Sequence, residues 1–193
     1  MAHVLYIKAN SRDNSATYTV SDAFVESYKE ANPEDTVEVL DLYEAGVDFI
    51  RGDVMSGEGD TSVYMQHAQK FASVDKYLIA APMWNFSFPA IFKAYIDYVV
   101  MHGVTFEFTS TGAVGLLADK GKKALLISAS GGNYATPEMA PLDFRLPYLK
   151  AVFGFMGITE VDAVYVYGTM QSASKDSAVE TALTDAKEKA SNW

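Results

Sequence analysis

The chain has 193 residues, 49% hydrophobic and 21% charged, a composition that folds as a globule and can bury a core without metal or disulfide staples. Twenty-five acidic against 15 basic residues leave a formal net charge of -10, a field that repels polyanions and argues against nucleic acid or an anionic membrane as partner. With no cysteine there is no disulfide, thiolate nucleophile or iron–sulfur ligation, so redox chemistry requires a bound organic cofactor.

Met1-Ala2-His3 leads at once into an apolar strand, without the charged and long apolar regions of a signal peptide. No run reaches 18 apolar residues. The expectation is one cytoplasmic domain spanning residues 1–193. Strand-length apolar runs recur at 4–7, 37–40, 77–81, 124–127 and 161–167, with helical spacing between most of them. That alternation predicts βαβ units on a parallel sheet buried on both faces.

The first helix is predicted to start near Ser15, to carry Val20, Phe24 and Tyr28 at four-residue spacing, and to end before Asn32-Pro33. A polar connection over 46–60 is long for a compact domain and reads either as a lid or as a tolerated insertion. Helices are predicted over 63–72, from about Pro89 through Val99, over 144–156 with Pro147 obscuring the start, and over 177–189 with Ala178, Leu183, Ala186 and Ala190 as its apolar face. A short hairpin is expected from 106–108 and 114–117. Five strands in the order 2-1-3-4-5 with helices on both faces make a flavodoxin-like three-layer α/β sandwich. Ligands then bind beyond the carboxyl ends of strands one, three and four.

The loop after strand one, residues 8–17, has no glycine, which excludes both G-x-G-x-x-G and the Walker loop. Asn10, Ser11, Asn14, Ser15 and Thr17 at a helix start suit a terminal phosphate monoester, and equally an ordinary N-cap. After strand three, Pro82-Met83-Trp84-Asn85-Phe86-Ser87-Phe88-Pro89 forms a stiff aromatic shelf around one amide, suited to a flat heteroaromatic or to plugging the core. Strand four ends in Ser128-Ala129-Ser130-Gly131-Gly132-Asn133-Tyr134, where bare backbone N–H groups can face developing negative charge, or where the chain simply turns.

The P-M-W-N-F segment with Pro89, Gly103-Val104-Thr105-Phe106, Gly115-Leu116, the S-x-S-G-G-x-Y loop and the 153–158 segment Phe-Gly-Phe-Met-Gly-Ile together resemble the FMN-dependent NADH azoreductases, which also reduce quinones. The resemblance implies a flavodoxin-like fold, non-covalent FMN, and a homodimer with active sites at the subunit interface. It implies that Asn10, Ser15, Ala16 and Thr17 hold the phosphate. It places the isoalloxazine on Met83, Trp84, Asn85 and Phe86 and on Ala129, Ser130, Gly131 and Gly132. Trp84 departs from the commoner tyrosine, and Ala9 stands where some relatives have serine.

The expected reaction is ping-pong: NADH or NADPH delivers hydride to flavin N5, and two electrons then pass to a quinone or azo compound. Asn85, the Gly131 amide and Tyr134 are the candidate catalytic contacts. Arg12 and Arg51 are the candidates for telling NADPH from NADH. The alternatives are a flavodoxin-like one-electron carrier without NAD(P)H activity and an FAD-using quinone reductase. His3, His67 and His102 are too scattered for a metal set, and neither Ser128 nor Ser130 has a partner histidine. Met101, Phe106, Phe108, Phe153, Phe155 and Met156 read mostly as core, with a substrate pocket or dimer face as the other use.

Overall fold

The structure, a computed structural model, describes residues 1–171 and 175–193. Strands β1 (His3–Lys8), β2 (Thr36–Asp41), β3 (Lys76–Ala80), β6 (Lys123–Ala129) and β7 (Glu160–Val166) form one parallel sheet in the order β2-β1-β3-β6-β7. These are the five predicted strands in the predicted order. The intervening β4 (Phe106–Thr109) and β5 (Gly112–Gly115) make the separate antiparallel hairpin. The central strands are buried on both faces, as continuous apolar runs require, whereas β7 at one edge alternates buried and exposed positions.

Helix α1 (Ala16–Ala31) begins after Ser15, whose hydroxyl accepts from Tyr18 N at 3.2 Å, and it ends before Asn32-Pro33 as predicted. The 46–60 connection is not wholly irregular, because it contains the short helix α2 (Gly52–Met55). Helices α3 (Ser62–Ser73) and α4 (Ala90–Val99) follow. In α5 (Arg145–Met156) Pro147 is the third helical residue, where the missing N–H has no helical partner to lose. The last helix, α6 (Lys175–Asn192), extends two residues before and three beyond the predicted span. Its buried face is Ala182, Ala186 and Ala190, with Ala178 and Leu183 only partly covered.

Side-chain alternation divides the core between the two sheet faces. Val4, Tyr6, Leu78, Leu125, Ile127 and Val164 pack under α1 and α6. Leu5, Ile7, Tyr77, Ile79 and Leu126 pack under Phe71, Phe92, Tyr95 and Phe153 of α3, α4 and α5. Of the six residues read mostly as core, Phe153 and Met156 are fully buried, but Phe108 is 70% and Phe155 41% exposed. The reason is the hairpin, which stands outside the main sheet and directs Phe108 to solvent. No helix among the described residues is long and apolar enough to cross a membrane.

Candidate active site

Three chain segments meet at the carboxyl end of the sheet, each positioned by a strand. The first is the start of α1. Its opening N–H groups, at Ala16 and Thr17, have no partner within the helix by geometry, so a ligand there meets free donors and the positive end of the helix dipole. Ser15 and Thr17 offer more than a count of hydroxyls. Ser15 Oγ accepts from Tyr18 N, and Thr17 Oγ1 accepts from Ala129 N at 3.2 Å. A hydroxyl that accepts on one side keeps its own hydrogen to donate elsewhere. Asn10 is buried, and the Tyr18 hydroxyl brackets its main chain, accepting from Asn10 N at 2.9 Å and donating to Asn10 O at 2.8 Å. Burial pushes that phenol up to about 12, and the Asn10 contact partly opposes the shift. Tyr18 therefore stays a neutral clamp at ordinary pH.

The second segment turns sharply after β3. Trp84 N donates to Ser87 O and Ser87 N to Trp84 O, both at 3.0 Å, which closes a two-residue turn. Its central residues, Asn85 and Phe86, have φ of +47° and +70°. Two positive values in succession define a type I′ turn, which Asn suits and a bulky Phe does not. Phe86 is held by its carbonyl, which accepts from Phe144 N at 3.0 Å, and by an edge-on contact with Tyr134. The turn presents Trp84 and Phe86 half-exposed.

The third segment follows β6. Ser130 N donates to Val166 O, while Thr169 N, Gly168 N and Met170 N donate to the carbonyls of Ser130, Gly132 and Gly131. Residues 168–170 are thus laced onto the glycine loop. Gly131 sits where a Cβ would lie 2.6 Å from Met170 Sδ, so the missing side chain makes room for methionine and not for an unusual φ.

A cavity of about 310 Å³ lies between the three segments. Asn10, Ser15, Ala16, Thr17, Met83, Trp84, Ala129, Ser130 and Gly131 line it, together with Arg12, Thr169, Met170 and Lys175. Four candidates are not in its wall. Asn85 and Phe86 form the tip of the turn beside it, the Gly132 carbonyl is taken by Gly168 N and Ser130 Oγ, and Tyr134 braces Phe86.

A family model described as flavodoxin-like fold matches residues 2–190. A Clostridium perfringens protein named FMN-dependent NADH:quinone oxidoreductase is 42% identical over 201 residues, covering 97% of this chain and 99% of its own. The chain belongs to the FMN-dependent NADH:quinone oxidoreductase family. A Clostridium beijerinckii member of that name is 41% identical over 203 residues and covers 100% of both chains. Among solved structures, an azoreductase from Bacillus anthracis str. Sterne superimposes with a TM-score of 0.90 at 31% identity and 100% coverage of both chains. The FMN-dependent NADH-azoreductase from Bacillus anthracis str. Ames Ancestor, solved in complex with FMN, gives 0.90 at 32% identity, covering 100% of this chain and 99% of its own.

The motifs that carry the resemblance do not include every residue in the cavity wall of this quinone oxidoreductase family member. Lys175, Thr169 and Met170 lie beyond the fifth strand of the sheet and carry no motif. The rule that ligands sit beyond strand ends would have found them had it been applied to the last strand too. Arg12 sits at the helix-start end of the cavity, while Arg51 is exposed beside α2 and pairs with Asp53 at 3.5 Å.

Proposed function

We propose that this chain is an FMN-dependent NAD(P)H oxidoreductase that reduces quinones and azo compounds. The observation that carries the reading is the make-up of the cavity. One end has helix-start N–H groups, two hydroxyls whose acceptor sides are already used, and the cations Arg12 and Lys175. The other end has the apolar edge of Met83 and Trp84 and the glycine loop. A phosphate monoester joined to a flat ring fits that polarity, and a pyrophosphate, with no glycine-rich loop to receive it, does not.

Bound FMN would supply two-electron redox chemistry between NADH or NADPH and the acceptor, in a ping-pong sequence through its N5. The protein binds and orients. Asn10, Ser15, Ala16 and Thr17 hold the phosphate, with Arg12 and Lys175 neutralising its charge. Met83, Trp84, Asn85, Phe86, Ala129, Ser130, Gly131 and Gly132 hold the ring. Asn85, fixed at the tip of its turn, offers its amide to the reacting edge of the ring. The Gly131 N–H would offer a donor to negative charge on the bound ring, and Tyr134 keeps Phe86 in place as part of a water-excluding shelf.

We further propose that the whole chain works as one domain and that two copies pair through the apolar face formed by the hairpin, α4 and α5. Exposed Phe108 and Phe155 and the groove between Ile96, Val100, Tyr148 and Val152 support that face. Sedimentation velocity on the FMN-loaded protein tests it, with a monomer at micromolar concentration as the contrary result. For the activity, the released cofactor is identified by mass spectrometry. The loaded protein is then mixed with NADH under nitrogen, with benzoquinone added afterwards. Loss of the oxidised flavin absorbance and its return with quinone are expected. A cofactor other than FMN, or inertness to both nucleotides, would overturn the reading, inertness favouring a one-electron carrier.

A further inference from the structure

Arg145 is fully buried at the start of α5, an unusual place for a guanidinium, and the reaction as proposed gives it no part. Its Nε and Nη2 donate to the two carboxylate oxygens of Asp143 at 2.8 and 2.6 Å, a bidentate pair. Its third arm, Nη1, donates to Ser128 Oγ at 2.8 Å and makes a longer contact of 3.4 Å with Ser128 O. Its planar face lies 4.4 Å from the Tyr165 ring and 5.8 Å from that of Tyr167. All three nitrogens donate and a ring covers one face, so the group is held in place from several sides.

What Arg145 holds is the end of β6, the last stretch of strand before the cavity. The Ser128–Ala129 peptide has its carbonyl against Arg145 and its N–H bonded to Thr17 Oγ1. Ala129 O in turn accepts from Met83 N at 2.8 Å. The Ser128–Ala129 peptide therefore links the buried charge to the first turn of α1, and the next peptide, through Ala129 O, reaches the shelf after β3. Both Thr17 and Ala129 line the cavity. A cation at the carbonyl end strengthens the N–H as a donor. That in turn strengthens the Thr17 hydroxyl as a donor on its free side, because hydrogen bonds in a chain polarise one another.

We propose that Arg145 is a positioning residue for the FMN site, acting through the Ser128–Ala129 peptide on Thr17. The role rests on the reading of the cavity as that site. It does not touch the cofactor. It fixes the hydroxyl and the strand end that do.

The test is a double-mutant cycle on FMN affinity, measured by fluorescence quenching with cofactor-free protein. R145M removes the charge at similar volume, and T17V removes the hydroxyl at the same shape. Each alone is expected to raise the Kd about tenfold, equivalent to about 1.4 kcal/mol. Since both cut one chain, the double variant is expected to stay within about twofold of the worse single variant. A near-hundredfold loss, the product of two independent effects, overturns the proposal. So does R145M binding FMN like the wild type while losing only thermal stability, which marks a purely structural residue. If R145M does not fold, the R145Q/T17V cycle makes the same comparison, glutamine removing the charge while keeping a polar group beside Asp143 and Ser128. Wild-type protein with no affinity for FMN would instead overturn the cofactor reading itself, and the role of Arg145 with it.

Discussion

Phe86 is the position where the backbone and the side chain are in plainest conflict, and substitution can separate them. At φ +70° a residue with a Cβ bears a left-handed penalty of about 1–2 kcal/mol, and glycine bears none. Both F86G and F86A lose the ring and its edge-on contact with Tyr134, so that loss, about 0.5–1.5 kcal/mol, cancels between them. What remains is the strain. Alanine ordinarily stabilises relative to glycine by about 0.4–1 kcal/mol through the unfolded chain. Here the order should invert, with F86G more stable than F86A by about 1 kcal/mol, because Asn-Gly is the preferred type I′ pair. Urea unfolding of the cofactor-free protein, followed by far-ultraviolet circular dichroism with the slopes compared, reads the difference. F86A as stable as F86G, or more so, would refute the reasoning. The turnover of both variants should fall, since the aromatic surface of the shelf is gone in each.

His67 should make stability fall on mild acidification. Burial lowers its pKa in the folded state below the ordinary 6.5, with the Ala45 carbonyl partly opposing the shift. The unfolded chain then takes up the proton first, so stability is lost as pH drops below about 6.5 toward the folded value. H67Q should flatten that part of a chemical-denaturation series, and an unchanged slope would count against the assignment. At Gly115 an added Cβ would lie 2.3 Å from the Met156 carbonyl carbon, a backbone atom that cannot step aside. G115A should cost about 2–3 kcal/mol, a fall of several degrees in Tm by calorimetry, and a shift under 1 °C would contradict it. At Gly131 the obstructing atoms are the far end of the exposed Met170 side chain, so G131A should leave Tm within about 2 °C while altering the visible spectrum of bound flavin. R12A and K175A should each weaken FMN binding several-fold, the loss shrinking as sodium chloride is raised. Salt-independent affinities would exclude a charge role.

The parts of the molecule that follow from local chemistry could be read in advance. Val4, Leu5, Tyr6 and Ile7 make a strand buried on both faces because nothing polar interrupts them, and Ser15 caps α1 because its hydroxyl reaches Tyr18 N. The nine cavity residues found from sequence lie at strand ends, where fold geometry sends ligands. What escaped depends on distant neighbours. Helix α2 has four residues, too few for an apolar period to register. Met170 joins the cavity only through hydrogen bonds from residues 168–170 to the glycine loop. Phe86 carries no turn signal, since turn chemistry is sought in Gly, Asn and Asp, and its left-handed backbone is imposed by the bonds of Trp84 and Ser87 around it. Arg145 carries no sequence signal of its own, because its burial depends on Ser128 and Tyr165 of distant strands, with Asp143 two residues away.

The hairpin is fastened where β5 ends. Leu116 N donates to Thr105 O, Leu117 N donates to Met156 O at the end of α5, and Gly115 fits against that same helix end only because it lacks a side chain. The aromatic side chains it carries meet neighbours within the chain: Phe108 stacks on His102, and Phe106 meets His102 edge-on and Phe155 at a tilt. Side chains that already rest on one another within the chain have less conformational freedom to lose when they are covered. In the proposed pairing of two copies, variants of the hairpin should therefore change the dissociation rate far more than the association rate.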